Sequence, residues 1–105
     1  MERLTFAFEC PGRAAPAAAP VVVGVVASGN LEVLVEPSSE PTVCRVEVAT
    51  SARGFGAVWE AVLRDFAARH AAGGLRLSLN DAGATPAVVS LRLGQAVEEY
   101  AGGRP

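Results

Sequence analysis

The sequence contains no lysine, a single histidine and only two cysteines in 105 residues. All nine cationic side chains are therefore arginines, and eleven acidic residues outnumber them, giving a formal net charge of −2. A chain with no run of basic residues lacks the electrostatic footprint by which proteins bind nucleic acid. We therefore predict no nucleic-acid partner.

The two cysteines and the histidine are too few and too scattered to suggest a reactive centre. Cys10 and Cys44 form no CxxC pair, and no second pair is present to complete a zinc site. His70 follows Arg69, and the simplest interpretation is a solvated imidazole at the C-terminus of a helix. We expect no metal and no catalytic residue, and a buried, inert thiol at Cys44.

Long hydrophobic runs are absent as well. The apolar stretch Val21–Ala27 is too short to cross a bilayer, and the first residues lack the charged-then-apolar pattern of a signal peptide. Half of the residues are nevertheless hydrophobic, which suffices for one core in a chain of this length. We predict a single domain over residues 1–105, no membrane association and a cytoplasmic location.

Strands are predicted where apolar and polar residues alternate, or where valines cluster. The segment Pro11–Pro20, rich in proline and alanine, has no apolar periodicity and predicts a surface loop within the domain. The predicted strands are Leu4–Glu9, Val21–Ala27, Leu31–Glu36, Val43–Thr50 and Leu75–Asn80.

Two helices are predicted from apolar side chains spaced three and four residues apart. The first carries a buried stripe from Phe55 to Phe66 and stops at Gly73-Gly74. The second begins with Thr85 as N-cap and Pro86 at the first helical position. The order ββββαβα predicts a two-layer α+β sandwich, with a mostly antiparallel sheet of four or five strands and both helices on one face. The helical crossover favours parallel pairing of the last strand with a neighbour.

Ser28 precedes Gly29-Asn30, between two predicted strands. Gly-Asn is a favoured two-residue hairpin turn because both residues tolerate a positive φ. The pattern places Ser28 at the edge of a tight turn, where its hydroxyl can face solvent. By turn chemistry alone, a serine here is an ordinary turn residue.

The run from Val23 to Pro37 resembles the prosthetic-group site of malonate decarboxylase acyl carrier proteins, also called the delta subunit. The family pattern there is a serine followed by glycine, an acid or amide, and Leu-Glu-Val. A second match runs from Asp81 to Leu93, and the likeness extends in order along nearly the whole chain. Two departures are Asn30, where many relatives have aspartate, and Ala82, which replaces a bulkier residue. The matching run reads Ser28-Gly29-Asn30-Leu31-Glu32-Val33.

The resemblance implies a carrier and not an enzyme. Ser28 would be joined through a phosphodiester to a phosphoribosyl-dephospho-coenzyme A arm (2'-(5''-phosphoribosyl)-3'-dephospho-CoA), with Gly29 and Asn30 forming the turn that presents it. The thiol of the arm would hold acetyl or malonyl as a thioester while malonate is decarboxylated to acetate and CO2. The implied partners are an acetyl/malonyl transferase subunit, decarboxylase subunits, the nucleotidyltransferase that attaches the arm, and a malonyl transferase.

The turn of Gly83, Ala84 and Thr85 is a second candidate part of the site. If it lies near Ser28, free N–H groups at the start of the last helix would favour the arm's phosphates; the simpler reading is that Thr85 only caps its helix. Three other functions stay open at this point: the carrier subunit of a citrate-lyase-like complex with a related arm, a non-carrier α+β assembly domain, and, least favoured, a small enzyme.

Overall fold

A computed structural model describes residues 1–10, 21–23 and 31–102. Within these residues the elements follow the predicted order ββββαβα. The predicted loop at 11–20 lies outside the described residues. The elements are β1 (Glu2–Glu9), β2 (Val21–Val23), β3 (Leu31–Pro37), β4 (Val43–Thr50), α1 (Gly56–Arg69), β5 (Leu75–Asp81) and α2 (Pro86–Gly102).

The five strands form one sheet in the order β1-β4-β5-β3-β2. Strands β4 and β5 are parallel because α1 carries the chain back across the sheet between them, and the other three neighbouring pairs are antiparallel. The predicted mostly antiparallel sheet and the parallel pairing of the last strand are both confirmed. The late strand β5 occupies the centre of the sheet.

The alternating strands place their apolar side chains on one face, and both helices cover that face. Strand β5 illustrates the pattern, since Leu75, Leu77 and Leu79 are buried while Arg76 points to solvent. Each fully buried leucine contributes about 1.5–3 kcal/mol by leaving water. The helical side chains of the same core include Trp59, Leu63, Phe66, Val89, Leu93, Ala96, Val97 and Tyr100.

The first helix ends earlier than the sequence suggested. Its C-cap is His70, in an extended conformation, and the His70 N–H donates to the Phe66 carbonyl at 3.0 Å. The prediction that Gly73-Gly74 stop the helix is therefore wrong. Gly74 has a φ of 87° and its N–H donates to Val43 O at 3.0 Å, so it turns the chain into β5.

His70 lies at the C-terminus of α1, as predicted, but it is half-buried between the two helices and not fully solvated. Its ring stacks on Phe66 with centroids 4.8 Å apart. A Cβ added at Gly94 of α2 would lie 3.7 Å from the His70 ring. The imidazole is thus a packing group at the helix–helix contact.

Neither described helix combines the length and the apolar character that are required to cross a membrane.

Candidate functional site

Ser28, Gly29 and Asn30 lie outside the described residues, but the strands on either side of them are described. Strands β2 and β3 are antiparallel, with Val23 opposite Val33 and Val22 opposite Leu34. The two partners of each pair are equally distant from Ser28 along the sequence; Val23 and Val33, for example, are each five residues away. The antiparallel pairing expected of a hairpin is confirmed for these strands. The turn itself stays a prediction, but a two-residue Gly29-Asn30 turn would require a break in this register, because unbroken pairing would place Val23 opposite Glu36 and not opposite Val33.

The first residue of β3 defines which end of the sheet the hairpin connection reaches. Leu31 pairs with Asp81, the last residue of β5. The turn of Gly83, Ala84 and Thr85 therefore begins at the same end of the sheet as Leu31, which is three residues after Ser28.

Thr85 is the N-cap of α2, as predicted. Its Oγ1 accepts a hydrogen bond from the Val88 N–H at 3.3 Å, and Pro86 is the first helical residue. The Ala84 N–H already donates to Asp81 Oδ1 at 2.8 Å, so it is not a free donor for a phosphate. Ala84 is therefore excluded as a phosphate contact, and Gly83 and Thr85 remain as predicted contacts.

Thr50 and Asp81 form a buried polar pair where the parallel strands end. They are register partners, only 0% and 6% exposed. The Thr50 hydroxyl donates to Asp81 Oδ2 at 2.8 Å, and it also accepts from the Ala52 N–H at 3.1 Å. Together with the Ala84 bond, these contacts hold the loop after β4 against the loop after β5. The pair was not predicted, and the strand predicted over Leu75–Asn80 ends one residue before Asp81.

A groove of about 400 Å³ opens between these two loops and the first turns of α1 and α2. Its wall includes two aromatic rings, Phe55 and Trp59, together with Val58. The side chains of Phe55 and Val58 are 51% and 43% exposed, so the prediction of a buried stripe starting at Phe55 is wrong at these two positions. They face the groove and not the sheet. The remaining lining residues are Ala52, Val62, Asp81, Gly83, Ala84, Pro86 and Val89.

The two cysteines are free thiols near the Leu75 end of β5, which is the end of the sheet opposite Asp81. Cys44 is fully buried, and burial raises the pKa of its thiol to about 12, which agrees with the inert thiol predicted. Cys10 is half-buried, and burial raises its pKa too. No cluster of three or more His, Cys, Asp or Glu side chains suited to a metal ion occurs among residues 1–10, 21–23 and 31–102.

By class, the protein is a small two-layer α+β protein whose described strands β2 and β3 pair antiparallel at one edge of the sheet. An apolar groove lies where the parallel strands β4 and β5 end. The family model described as "Malonate decarboxylase delta subunit (MdcD)" matches residues 18–100. The chain belongs to this family.

Close relatives and a solved structure agree with the family assignment. A Burkholderia cepacia protein named "Malonate decarboxylase acyl carrier protein" is 62% identical over 102 residues, covering 96% of this chain and 92% of the relative. A Stenotrophomonas maltophilia protein of the same name is 52% identical over 105 residues, covering 100% of this chain and 99% of the relative.

Among solved structures, a chain of a Pseudomonas malonate decarboxylase hetero-tetramer in complex with malonate is similar to this one. The TM-score is 0.82 and the identity 38%, covering 95% of this chain and 99% of that chain. The relatives are named as acyl carrier proteins, so the prediction of a carrier subunit rather than a catalytic one is confirmed.

Proposed function

We propose that this chain is the acyl carrier subunit of a malonate decarboxylase and carries acetyl or malonyl groups on a phosphoribosyl-dephospho-coenzyme A arm attached to Ser28. The observation that carries the proposal is the β2–β3 register. The chain belongs to this family, and the three described residue pairs between β2 and β3 are each centred in sequence on Ser28. Ser28 is the serine that matches the family's attachment pattern. Bound there, the arm would supply a thiol that holds the acyl group as a thioester.

The described residues fit an arm attached near the start of β3. The connection that includes Ser28 reaches the sheet at Leu31, beside the end of β5. At that end lie a turn with Gly83 and Thr85, which we propose as phosphate contacts, and an apolar groove. The Ala84 N–H is used by Asp81 and is not part of the proposal.

The chain's own part is to hold the attachment point while partner subunits act on the acyl group. We propose that a transferase subunit exchanges acetyl for malonyl and that decarboxylase subunits then remove CO2. The Pseudomonas hetero-tetramer, which contains a chain similar to this one, supports such partners. A tether raises the local concentration of the acyl group to roughly millimolar, so weak docking of the carrier suffices.

Intact-mass measurement of protein produced together with the arm-attaching enzymes tests this proposal. The wild type should gain the mass of the arm, and Ser28→Ala should not, although it should unfold at the same temperature. Ser39→Ala is the matched control because Ser39 is an exposed loop serine at the opposite end of β3. Attachment to Ser28→Ala, or malonate decarboxylation supported by that variant, would contradict the proposal.

The family assignment favours malonate decarboxylase over a citrate-lyase-like complex as the host of the carrier. A non-carrier assembly domain is the outcome in which the complex works with an unmodified Ser28. The cytoplasmic location stays a prediction.

A further inference from the structure

We propose that the groove between α1 and α2 binds the adenine nucleotide portion of the carrier's own arm. The inference rests on the proposed function, and it adds a docking site for a defined part of the arm. The groove would hold the base, and the acyl-bearing thiol would remain free to reach the partner subunits.

The shape and lining of the groove suit a purine base. Its volume of about 400 Å³ falls in the range of roughly 300–1,000 Å³ typical of small-molecule sites. Phe55 presents an exposed ring beside the buried Trp59, and Val58 and Pro86 complete an apolar surface. Nucleic-acid bases stack on such aromatic side chains with little preference for sequence.

A cation stands next to the groove in sequence and is the proposed partner of the nucleotide's phosphates. Arg53 is exposed and sits between Ala52 and Phe55, two lining residues that are close to it in sequence. Within the described part of the chain, Arg53 takes part in no ion pair, in contrast to Arg45, Arg64, Arg69 and Arg76. A guanidinium without a carboxylate partner is suited to a diphosphate.

The acidic side chain of the groove does not oppose this assignment. Asp81 lines the groove, but each of its carboxylate oxygens accepts a hydrogen bond, from Thr50 and from the Ala84 N–H. Its charge is therefore turned towards the protein's own donors. The phosphates would pair with the Arg53 guanidinium.

The attachment point is within reach of the groove. Only two residues separate Ser28 from Leu31, so an extended chain keeps Ser28 within about 11 Å of Leu31. Leu31 is paired with Asp81, a groove residue, across a Cα distance of roughly 5 Å. In the arm, the adenosine is joined directly to the phosphoribosyl group on the serine, so it is the first large apolar part that can enter the groove.

The pantetheine end is the less suitable occupant. It carries the acyl group to other subunits, and holding it in the groove would oppose each transfer. Binding of the adenine instead restricts the motion of only the half of the arm nearest Ser28. The thiol then samples a smaller volume, which raises its local concentration at partner sites.

Trp59 is the only tryptophan and lines the groove, so its fluorescence reports on groove occupancy. Titration of unmodified protein with dephospho-coenzyme A should give a saturable change in Trp59 emission at millimolar concentration, and amide NMR shifts at Ala52 and Gly83. Pantetheine alone should give neither. Loss of the Phe55 ring in Phe55→Ala should weaken binding about tenfold.

Two exposed positions provide matched controls. Leu91→Ala removes a side chain that is 61% exposed and outside the groove, and should leave binding unchanged. Arg53→Gln should weaken binding and reduce its salt dependence, and Arg3→Gln, at another exposed arginine, should do neither.

The same signals separate the groove proposal from the carrier proposal when the arm is attached. Modified protein, verified by mass, should show the groove shifts without added ligand, and modified Phe55→Ala should lack them. Unchanged groove signals despite an attached arm would overturn the groove proposal and leave the carrier function standing. Shifts produced by pantetheine, or only by added decarboxylase subunits, would also overturn it. Absence of any arm on Ser28 would refute the carrier function, and titration with dephospho-coenzyme A would still decide the groove.

Discussion

Replacement of Thr50 by valine removes a single hydroxyl from the buried polar pair that joins the ends of β4 and β5. The side chain keeps its shape, so no cavity forms, but two hydrogen bonds are lost. The Thr50 hydroxyl donates to Asp81 Oδ2 at 2.8 Å and accepts from the Ala52 N–H at 3.1 Å. The change therefore isolates the contribution of these bonds to the stability of the fold.

The magnitude follows from the burial of the pair. A hydrogen bond to a charged group contributes about 1.5–3 kcal/mol, and one between neutral groups about 0.5–1.5 kcal/mol. Thr50 is fully buried and Asp81 nearly so, and water has little access to replace the lost donor. We expect Thr50→Val to lower the free energy of unfolding by about 2–4 kcal/mol. That is a large share of the roughly 5–15 kcal/mol typical of a domain.

Urea unfolding followed by Trp59 fluorescence measures this loss. Thr5→Val is the control, because Thr5 is an exposed strand threonine and its replacement should change stability by less than about 0.5 kcal/mol. In a double-mutant cycle, Thr50→Val with Asp81→Ala should cost about 1–2 kcal/mol less than the sum of the single changes. A near-neutral Thr50→Val, or strict additivity, would refute the reasoning.

Three further predictions concern single positions. Cys44 should resist iodoacetamide in folded protein; because burial raises its pKa from 9.0 to about 12, the unfolded state loses the proton first and the free energy of unfolding should fall as pH rises above about 9. Labelling of Cys44 in the native protein, or a urea midpoint that does not change as the pH rises above about 9, would contradict this prediction. Gly83→Ala should lower the free energy of unfolding by about 1–2 kcal/mol, because Gly83 has a φ of 103° that alanine adopts only with strain. Gly94→Ala should raise the free energy of unfolding by up to about 1 kcal/mol, because alanine favours the helical conformation of α2. Thermal unfolding of the two variants shows whether the changes have opposite signs. Leu93→Ala should cost about 2–5 kcal/mol in urea unfolding, and an effect as small as that of the exposed Leu91→Ala would show that the core relaxes around the loss.

Local patterns in the sequence predicted the elements well where one face of an element is uniformly buried. The alternation of Leu75, Leu77 and Leu79 located β5, and Thr85 with Pro86 located the start of α2. These signals depend on near neighbours in the chain, which is why they need no knowledge of tertiary structure.

The groove and the polar pair could not be predicted in the same way. Helical spacing shows that Phe55, Val58 and Trp59 share a side of α1, but it does not show whether a sheet or an open groove lies opposite. Thr50 and Asp81 are 31 residues apart, and only the β4–β5 register brings them together. Sequence distance hides contacts of this kind, although a polar residue at an inward strand position is the signal that was available.

The central place of β5 has a consequence for synthesis on the ribosome. Within the described sheet, the β1–β4 pair and the β2–β3 pair touch each other only through β5. A nascent chain that has not yet extended to Asp81 lacks the strand that joins these two pairs, so either pair, if formed, would expose an unpaired inner edge to chaperones and proteases.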